Sequence, residues 1–296
     1  GRALAPIDVA LNQWGLVQRG VKGWQNLSEL LGAVPREEEK TSLPAPKARF
    51  SVKALTVYPP GEKAPALRSL SFEVNPGQAI GVIGPSGSGK STLARALTGV
   101  WTPVSGTIRL DGATLDQYAP QVLGKYVGYL PQRVQLFDGT IAENIARLDP
   151  DVNAPKVVSA AKKADAHDMI LKLPQGYDTV ISAGQSKLSG GQLQRIGLAR
   201  ALYGKPVIVI LDEPDSNLDN IGSDALNKAI RQLKEQDCAV LVMAHRPAAI
   251  RECDTLLVLD NGTCAAFGPK EKIMGQNAEK VERVRVTPKT QHRGAA

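Results

Sequence analysis

A glycine-rich loop between a buried strand and a helix constrains this fold more than any other feature of the sequence. Residues 84–91 read GPSGSGKS and fit the pattern G-x-x-x-x-G-K-[ST]. The apolar run Ala79–Ile83 before the loop is typical of a strand buried on both faces, and helix-forming residues Thr92–Leu97 follow it. From average residue frequencies, a chance match in a chain of this length is on the order of 1%. The pattern therefore predicts a phosphate-binding loop rather than an ordinary glycine and serine turn.

The loop combines several kinds of phosphate contact. Its glycines let the backbone curl so that N–H groups face the phosphates, and the helix N-terminus adds positive potential. Lys90 is predicted to reach the β- and γ-phosphates and to support catalysis, while Ser91 offers its hydroxyl to Mg²⁺. The candidate nucleotide-binding residues of this segment are Gly84, Pro85, Ser86, Gly87, Ser88, Gly89, Lys90, Ser91 and Thr92.

Two later apolar runs predict further central strands, and polar residues follow each of them. Val207–Leu211 precedes Asp212 and Glu213, at the strand end where open α/β sheets bind ligands. Asp212 is predicted to hold Mg²⁺ through water, and Glu213 to orient or activate the attacking water. Ala239–Met243 precedes His245, whose neutral imidazole is predicted to contact the γ-phosphate and that water. Alone, such groups are more often surface or structural residues, but the phosphate loop reverses those odds.

The patterning predicts an α/β fold with a mainly parallel sheet. Phe50–Val57 and Leu67–Val74 alternate apolar and polar residues, which predicts a separate antiparallel β subdomain. Residues from about 133 to 200 interrupt the strand pattern and predict an inserted, mostly helical subdomain. Residues 255–267 predict a hairpin, because Asn261-Gly262 suits the positive φ angles of a tight turn.

The flanks differ from this central part. Residues 1–32 predict an amphipathic helix that needs a partner, either in its own domain or in a segment outside this chain. The apolar stripe consists of Ile7, Leu11, Trp14, Val17, Val21, Trp24, Leu27 and Leu31. Residues 33–49 have the composition of a linker, and residues 276–296 are predicted to form a mobile basic tail. Since the chain starts at Gly1 rather than Met, we expect it to be a piece of a longer protein.

Charge does not favour a nucleic-acid partner. The formal charge of +7 divides into +2 for residues 1–49, +2 for residues 50–275 and +3 for residues 276–296. The central part is therefore nearly neutral, and a basic tail is more often solvated than bound. We expect no nucleic-acid partner.

Cysteine usage and hydropathy further limit the kinds of protein that this chain can be. The three cysteines lack C-x-x-C spacing and indicate neither a disulfide framework nor a zinc site, as expected in a reducing compartment. No apolar run reaches the length needed to span a membrane unaided.

The pentapeptide LSGGQ at residues 188–192 is the signature of the ATP-binding cassette (ABC) family, which this chain resembles. Ser189, Gly190, Gly191 and Gln192 stand at the start of a helical segment, where dipole and unpaired N–H groups favour phosphate. The resemblance implies a P-loop ABC ATPase that uses ATP and Mg²⁺. It also implies a head-to-tail homodimer, in which the signature of one subunit covers the nucleotide held by the other.

Three further residues match the family. Tyr58 resembles the aromatic residue that stacks on adenine, although an exposed strand tyrosine is the alternative. Gln132 resembles the glutamine that touches Mg²⁺ and water and connects the core to the helical subdomain. Asp219 ends Ser216–Asp219, which is similar to the D-loop at the dimer interface. The resemblance assigns residues 50–275 to the nucleotide-binding domain.

A finer resemblance is to the permease/ATPases of bacterial type I secretion. It rests on residues 123–132, 136–140 and 143–145, on the D-loop Ser-Asn-Leu-Asp and on the leader at residues 2–6. It implies an exported protein substrate, a periplasmic adaptor protein and an outer-membrane channel. It further implies a place on the cytoplasmic face of the bacterial inner membrane. Residues 1–32 would then end a transmembrane or coupling region that is fused upstream and absent from this chain.

Other functions stay open at this point. One is an ABC exporter of lipid, peptide or drug. A second is a soluble ABC ATPase that acts on nucleic acid or ribosomes, although the chain has neither paired cassettes nor long coiled-coil insertions. A third is a regulatory module that switches on ATP without turnover, against which Glu213 and His245 argue.

Overall fold

A computed structural model describes residues 5–33, 40, 43–182 and 188–275 of the protein. They fall into two units, residues 1–41 and residues 42–296. The first unit contains α1 (Ala5–Ala33), which confirms the helix predicted over this segment. Apolar side chains along α1 are exposed, among them Trp14 and Trp24.

Parts of the predicted flanks cannot be compared with the structure. Residues 34–39 and 41–42 of the predicted linker, and the whole predicted tail 276–296, lie outside the described residues. No helix in the described ranges is both long and apolar enough to cross a membrane.

The second unit alternates strands and helices. In chain order its elements are β1 (Phe50–Val57), β2 (Leu67–Val74), β3 (Ala79–Ile83), α2 (Lys90–Leu97), β4 (Ser105–Leu110), β5 (Ala113–Thr114), α3 (Pro120–Tyr126), β6 (Val127–Leu130), β7 (Gly139–Thr140), α4 (Ile141–Ile145), α5 (Ala154–Lys163), α6 (His167–Leu171), β8 (Val180–Ile181), α7 (Gly190–Leu202), β9 (Ile208–Asp212), α8 (Asn220–Glu235), β10 (Ala239–Met243), β11 (Thr255–Asp260) and β12 (Thr263–Pro269). The turns Leu115–Gln117, Gly176–Asp178 and Pro247–Ile250 are 3₁₀ helices.

The central sheet has the strand order β12-β11-β3-β10-β9-β6. The strands β11, β3, β10, β9 and β6 are parallel, and only β12 pairs antiparallel within this sheet. Every residue of β9 and β10 is buried, as their continuous apolar runs predict. Alternate residues of β9 belong to different cores: Ile208 and Ile210 pack with α2 and β1, and Val209 and Leu211 with the helical side. The predicted mainly parallel sheet is confirmed.

A separate antiparallel sheet has the order β2-β1-β4-β5, which confirms the predicted β subdomain. Its inward side chains join α2 in the core on one face of the central sheet. At the other end of the chain, Asn261 and Gly262 have φ angles of 45° and 77° and close the β11–β12 hairpin, as predicted.

The segment from about residue 133 to 200 contains α4, α5, α6 and most of α7, together with the two-stranded sheet β7–β8. The prediction of an inserted helical subdomain holds for these helices, but the β7–β8 pair was not expected. The long helix α7 contacts both β6 and α5, so it belongs equally to the central layer and to the helical segment.

A partly buried arginine connects the helical segment to the rest of the fold. Arg147 follows α4 and has a φ angle of 62°. Its guanidinium donates to the backbone carbonyl oxygens of Gly124, Val127, Arg200, Ala201 and Tyr203. Burial, and secondly the charge of Arg200, lower the pKa of Arg147 to about 10. The ion pairs formed among the described residues do not include Arg147. This side chain therefore joins α3, β6 and the end of α7 through carbonyl groups alone.

Candidate functional site

The phosphate loop, residues 84–91, joins β3 to α2 as its sequence predicts. Its outer glycines stand where a side chain does not fit. A Cβ atom on Gly84 would lie 2.2 Å from the Leu259 carbonyl oxygen, and one on Gly89 would lie 2.7 Å from the Ala66 carbonyl oxygen. Gly87 and Gly89 have φ angles of 78° and 101°, which glycine adopts without strain. The loop is thus curled tightly against β2 and β11, in the form that exposes backbone N–H groups to phosphate.

Lys90 opens α2 and turns back over the loop. Its Nζ donates to the carbonyl oxygens of Gly84 and Pro85 at 2.9 and 2.8 Å. The side chain is 5% exposed, and burial lowers its pKa, an effect opposed by the carboxylates of Glu213 and Asp212. The ammonium is held inside the loop, where its charge faces any phosphate that the loop binds.

Ser91 and Asp212 come together from distant parts of the chain. The Ser91 hydroxyl donates to Asp212 Oδ1 at 3.2 Å, across 121 residues of sequence. Asp212 is 2% exposed, and burial raises its pKa while the Ser91 hydrogen bond lowers it. A hydroxyl and a carboxylate are hard oxygen ligands of the kind that Mg²⁺ prefers. The donor set predicted from the sequence therefore fits Mg²⁺.

Glu213 lies between two side chains from other elements. His245 Nε2 is 2.9 Å from Glu213 Oε1, and Gln132 Nε2 donates to Glu213 Oε2 at 2.9 Å. The backbone of Glu213 has a φ angle of 50°, and its N–H donates to the carbonyl oxygen of Met243 at 2.9 Å. This turn places the end of β9 beside the end of β10. The structure therefore brings Gln132, Glu213 and His245 into one cluster.

The signature residues lie at the N-terminus of α7. Ser189 is its N-cap: its hydroxyl accepts from Gln192 N–H at 3.3 Å, and Gln192 Oε1 accepts from Ser189 N–H at 2.8 Å. This reciprocal arrangement is a capping box. A Cβ atom on Gly191 would lie 3.1 Å from the Asn217 carbonyl oxygen, and one on Gly190 would lie 3.4 Å from Asn217 Cγ. Within one chain, the signature thus packs on Ser216–Asp219.

Asp219 has a structural partner that the sequence analysis missed. Its Oδ1 accepts from Gly222 N–H at 2.7 Å and caps α8. Arg195 of α7 lies 3.7 Å from the same oxygen and also pairs with Asp165 at 3.1 Å. Arg195 therefore joins the helical segment, the signature helix and residues 216–219. In the sequence, the role of Arg195 is indicated only by its position three residues after Gln192, which puts both residues on the same face of the helix.

Tyr58 adjoins the antiparallel sheet. It follows the last residue of β1 and its side chain is 38% exposed. The structure thus leaves the ring open for stacking, and Tyr58 matches the exposed strand tyrosine as well as the adenine contact.

The sequence model of the family described as "ABC transporter" matches residues 67–216, which is half of the chain. The match includes the phosphate loop, Gln132, the signature and both carboxylates. The chain belongs to the ABC transporter family. The predicted ABC fold class is confirmed by this match and by the sheet topology, and an ABC domain of this type binds ATP.

Individual relatives of this ABC domain agree with the family match. The chain is 48% identical to the type I secretion system ATP-binding protein PrsD of Rhizobium meliloti, over 95% of this chain and 49% of that protein. It is 37% identical to the ATP-dependent lipid A-core flippase of Saccharophagus degradans, over 88% of this chain and 44% of that protein. The chain thus spans about half the length of the curated relatives that it matches.

A solved structure supports the same assignment. The ABC domain superposes on a bacterial Atm1-family ABC exporter with ATP bound, with a TM-score of 0.84 and 29% sequence identity. The superposition covers 98% of this chain and 51% of that chain. The likeness extends over nearly all of the chain and supports the exporter branch of the family.

Proposed function

We propose that this ABC domain hydrolyses Mg·ATP and that the hydrolysis powers export across a membrane. The observation that carries the proposal is the position of Glu213 at the end of β9, held by Gln132 on one oxygen and by His245 on the other. A carboxylate fixed in this way at the carboxyl edge of a parallel sheet can orient and activate water beside a bound nucleotide.

The phosphates of ATP would be held by the loop amides and Lys90. Ser91 and Asp212 would hold Mg²⁺, since their oxygens already lie 3.2 Å apart, and Gln132 would complete the set from the side of Glu213. When bound, the ion neutralises charge on the phosphates. The chain itself supplies a buried ammonium and a curled backbone, so its part in binding is positional and electrostatic.

Glu213 and His245 would place the attacking water. The imidazole 2.9 Å from Glu213 Oε1 fixes the orientation of the carboxylate. Gln132 donates to the other oxygen and comes from the segment between β6 and β7, which leads into the helical part. The side-chain amide of Gln132 would thereby connect nucleotide binding at the site to the position of the helical segment.

The signature would act on the nucleotide of a second copy. Within one chain, its glycines pack on Asn217 and its cap is closed by Ser189 and Gln192. The helix N-terminus nevertheless offers anion-binding N–H groups, so a head-to-tail homodimer gives it a phosphate to bind. Asp219 would lie at the same interface, and Tyr58 would stack on adenine.

We assign residues 50–275 to the nucleotide-binding domain and residues 33–49 to a linker. We assign α1 to the end of a transmembrane or coupling region. The 48% identity to a type I secretion protein supports export of a protein substrate, together with a periplasmic adaptor and an outer-membrane channel. In that system the domain works at the cytoplasmic face of the bacterial inner membrane.

A second candidate is the export of lipid, which the 37% identity to a lipid A-core flippase favours. Deleting the encoding gene in the source organism separates the two. Loss of one or more proteins from the culture medium supports protein export. An unchanged set of secreted proteins, together with lipid that stays on the inner side of the membrane, contradicts protein export.

The ATPase activity itself is tested by phosphate release from Mg·ATP with the 296-residue chain. We expect steady release that EDTA abolishes and that Lys90→Ala reduces to background, since the variant loses the ammonium held in the loop. ATP binding by the wild type without phosphate release would instead support a regulatory module.

A further inference from the structure

A second cleft opens at the edge of the central sheet opposite the phosphate loop. The loop and Glu213 follow the carboxyl ends of β3 and β9, whereas Pro76, Val207 and Cys238 precede the amino ends of β3, β9 and β10 and line this cleft. Its volume is about 860 Å³. Small-molecule sites span about 300 to 1,000 Å³, so the cleft has the size of a ligand site.

The cleft combines an apolar floor with a lining of net positive charge. Leu202, Pro206 and Val207 contribute to the floor. Lys47, Lys163 and Lys205 supply three ammonium groups, and Asp237 supplies one carboxylate. A neighbouring cleft of about 460 Å³ shares Lys163 and adds Lys162 and Lys228. Its one carboxylate, Asp165, is already paired with Arg195 at 3.1 Å.

Lys163 carries positive charge without an acidic partner. Its Nζ donates to the neutral Gln236 Oε1 at 3.0 Å, and ion pairs within the described ranges include neither Lys163 nor Lys205. Burial lowers the pKa of Lys163, and the charge of Lys205 lowers it further. An anion between these two ammonium groups would remove their mutual repulsion and supply the missing acceptors.

We propose that this cleft binds an organic phosphate monoester, whose phosphate contacts Lys163 and Lys205 and whose apolar body packs on the floor at Pro206 and Val207. The dianionic phosphate matches the two lysines of this lining, since lysines bind phosphate as point charges. Inorganic phosphate would leave the apolar floor uncovered. We therefore expect a phosphate ester with an apolar body to bind more tightly than inorganic phosphate. The ligand bridges the end of α5 and the amino end of β9.

The test uses 1-naphthyl phosphate and the 296-residue chain saturated with Mg·ADP, so that the phosphate loop is filled. Isothermal titration calorimetry is expected to give saturable binding that weakens as salt is added. 1-Naphthol, which lacks the phosphate, is expected not to bind. Equal binding of naphthol and naphthyl phosphate would overturn the proposal, and so would the failure of both this probe and vesicles that contain phosphatidic acid to bind.

Variants connect the binding to the lysines. The double variant Lys163→Gln, Lys205→Gln is expected to bind at least about tenfold more weakly, because two charge-assisted contacts are lost. The matched control Lys53→Gln, Lys125→Gln removes two exposed charges elsewhere and is expected to bind like the wild type. Lys163→Arg, Lys205→Arg keeps both charges and tests the site even if the glutamine variant does not fold. Equal weakening in the control, or loss of binding in the arginine variant, would contradict the proposal.

The source of the phosphate is distinguished by a second arm. Vesicles of phosphatidylcholine with phosphatidic acid present the same monoester on a membrane. Lysine-dependent binding to these vesicles without binding of the soluble probe supports a lipid headgroup as ligand, and binding of the soluble probe supports a metabolite. Failure of both arms overturns the site, and neither arm depends on ATP hydrolysis.

Discussion

Replacing Arg147 by methionine tests how the helical segment is held to the core. The change keeps an unbranched side chain but removes five hydrogen bonds to backbone carbonyl oxygens, among them those of Arg200 and Ala201 at 2.9 Å each. No described carboxylate pairs with Arg147, so the loss falls on those carbonyls alone. Buried carbonyls without donors destabilise the folded state.

The size of the effect follows from the contacts and the burial. A hydrogen bond to a charged group stabilises by about 1.5–3 kcal/mol. The pKa of Arg147, lowered to about 10 by burial and secondly by the charge of Arg200, corresponds to an opposing free energy of roughly 3 kcal/mol. Five bonds at the low end of their range, less this penalty, leave a loss of about 4 kcal/mol. That is a large part of the 5–15 kcal/mol by which domains are typically stable.

Urea unfolding followed by far-UV circular dichroism measures the change in the free energy of unfolding. The matched control is Arg109→Met, because the exposed side chain of Arg109 donates only one described hydrogen bond, to the Gly112 carbonyl oxygen at 2.7 Å. We expect the control to stay within about 0.5 kcal/mol of the wild type. A loss below about 1 kcal/mol for Arg147→Met, or equal losses in both variants, would refute the reasoning.

Three further outcomes follow from the site and the core. His245→Ala leaves Glu213 Oε1 without its partner at 2.9 Å, so phosphate release should fall on the order of 10²–10⁴-fold while ATP binding is kept; loss of binding as well would point to a misfolded site. Tyr58→Ala should weaken ATP binding by about 1–3 kcal/mol and Tyr58→Phe should not, as stacking requires; equal binding by both variants removes the adenine contact. Burial raises the pKa of the Cys238 and Cys253 thiols to about 12. These thiols ionise first in the unfolded chain, so stability falls as pH rises above about 9, by about 1 kcal/mol per thiol between about pH 8 and pH 10. The double variant Cys238→Ala, Cys253→Ala should lose this part of the pH dependence of urea unfolding; an unchanged slope rejects the assignment.

The strongest sequence signals coincide with elements whose pattern is local. The bounds predicted for β1, β2, β3 and β10 match the structure because each is a continuous or alternating apolar run. The edge strand β6 was not predicted. Its Gly128 weakens the apolar pattern, and the structure explains it: a Cβ atom there would lie 2.2 Å from the Ala201 carbonyl oxygen of α7. That close approach is a property of the packed fold.

The residues of the site also differ in how far the sequence predicts them. The rule that ligands bind at strand ends predicted that Asp212, Glu213 and His245 belong together. The family resemblance placed Gln132 at Mg²⁺ and the water, but its contact with Glu213, across 81 residues, was not predicted. Arg147 was missed entirely, because its partners are backbone carbonyls, which leave no mark on the sequence.

The central claim is that Glu213 positions the water for ATP hydrolysis, and Glu213→Gln tests it most directly. The substitution keeps the shape of the side chain and removes the charge beside His245. Phosphate release from Mg·ATP and size-exclusion chromatography in the same buffer give the two readouts. The account predicts that the variant binds ATP, accumulates as an ATP-dependent dimer and releases no phosphate above background. Phosphate release at the wild-type rate would contradict it.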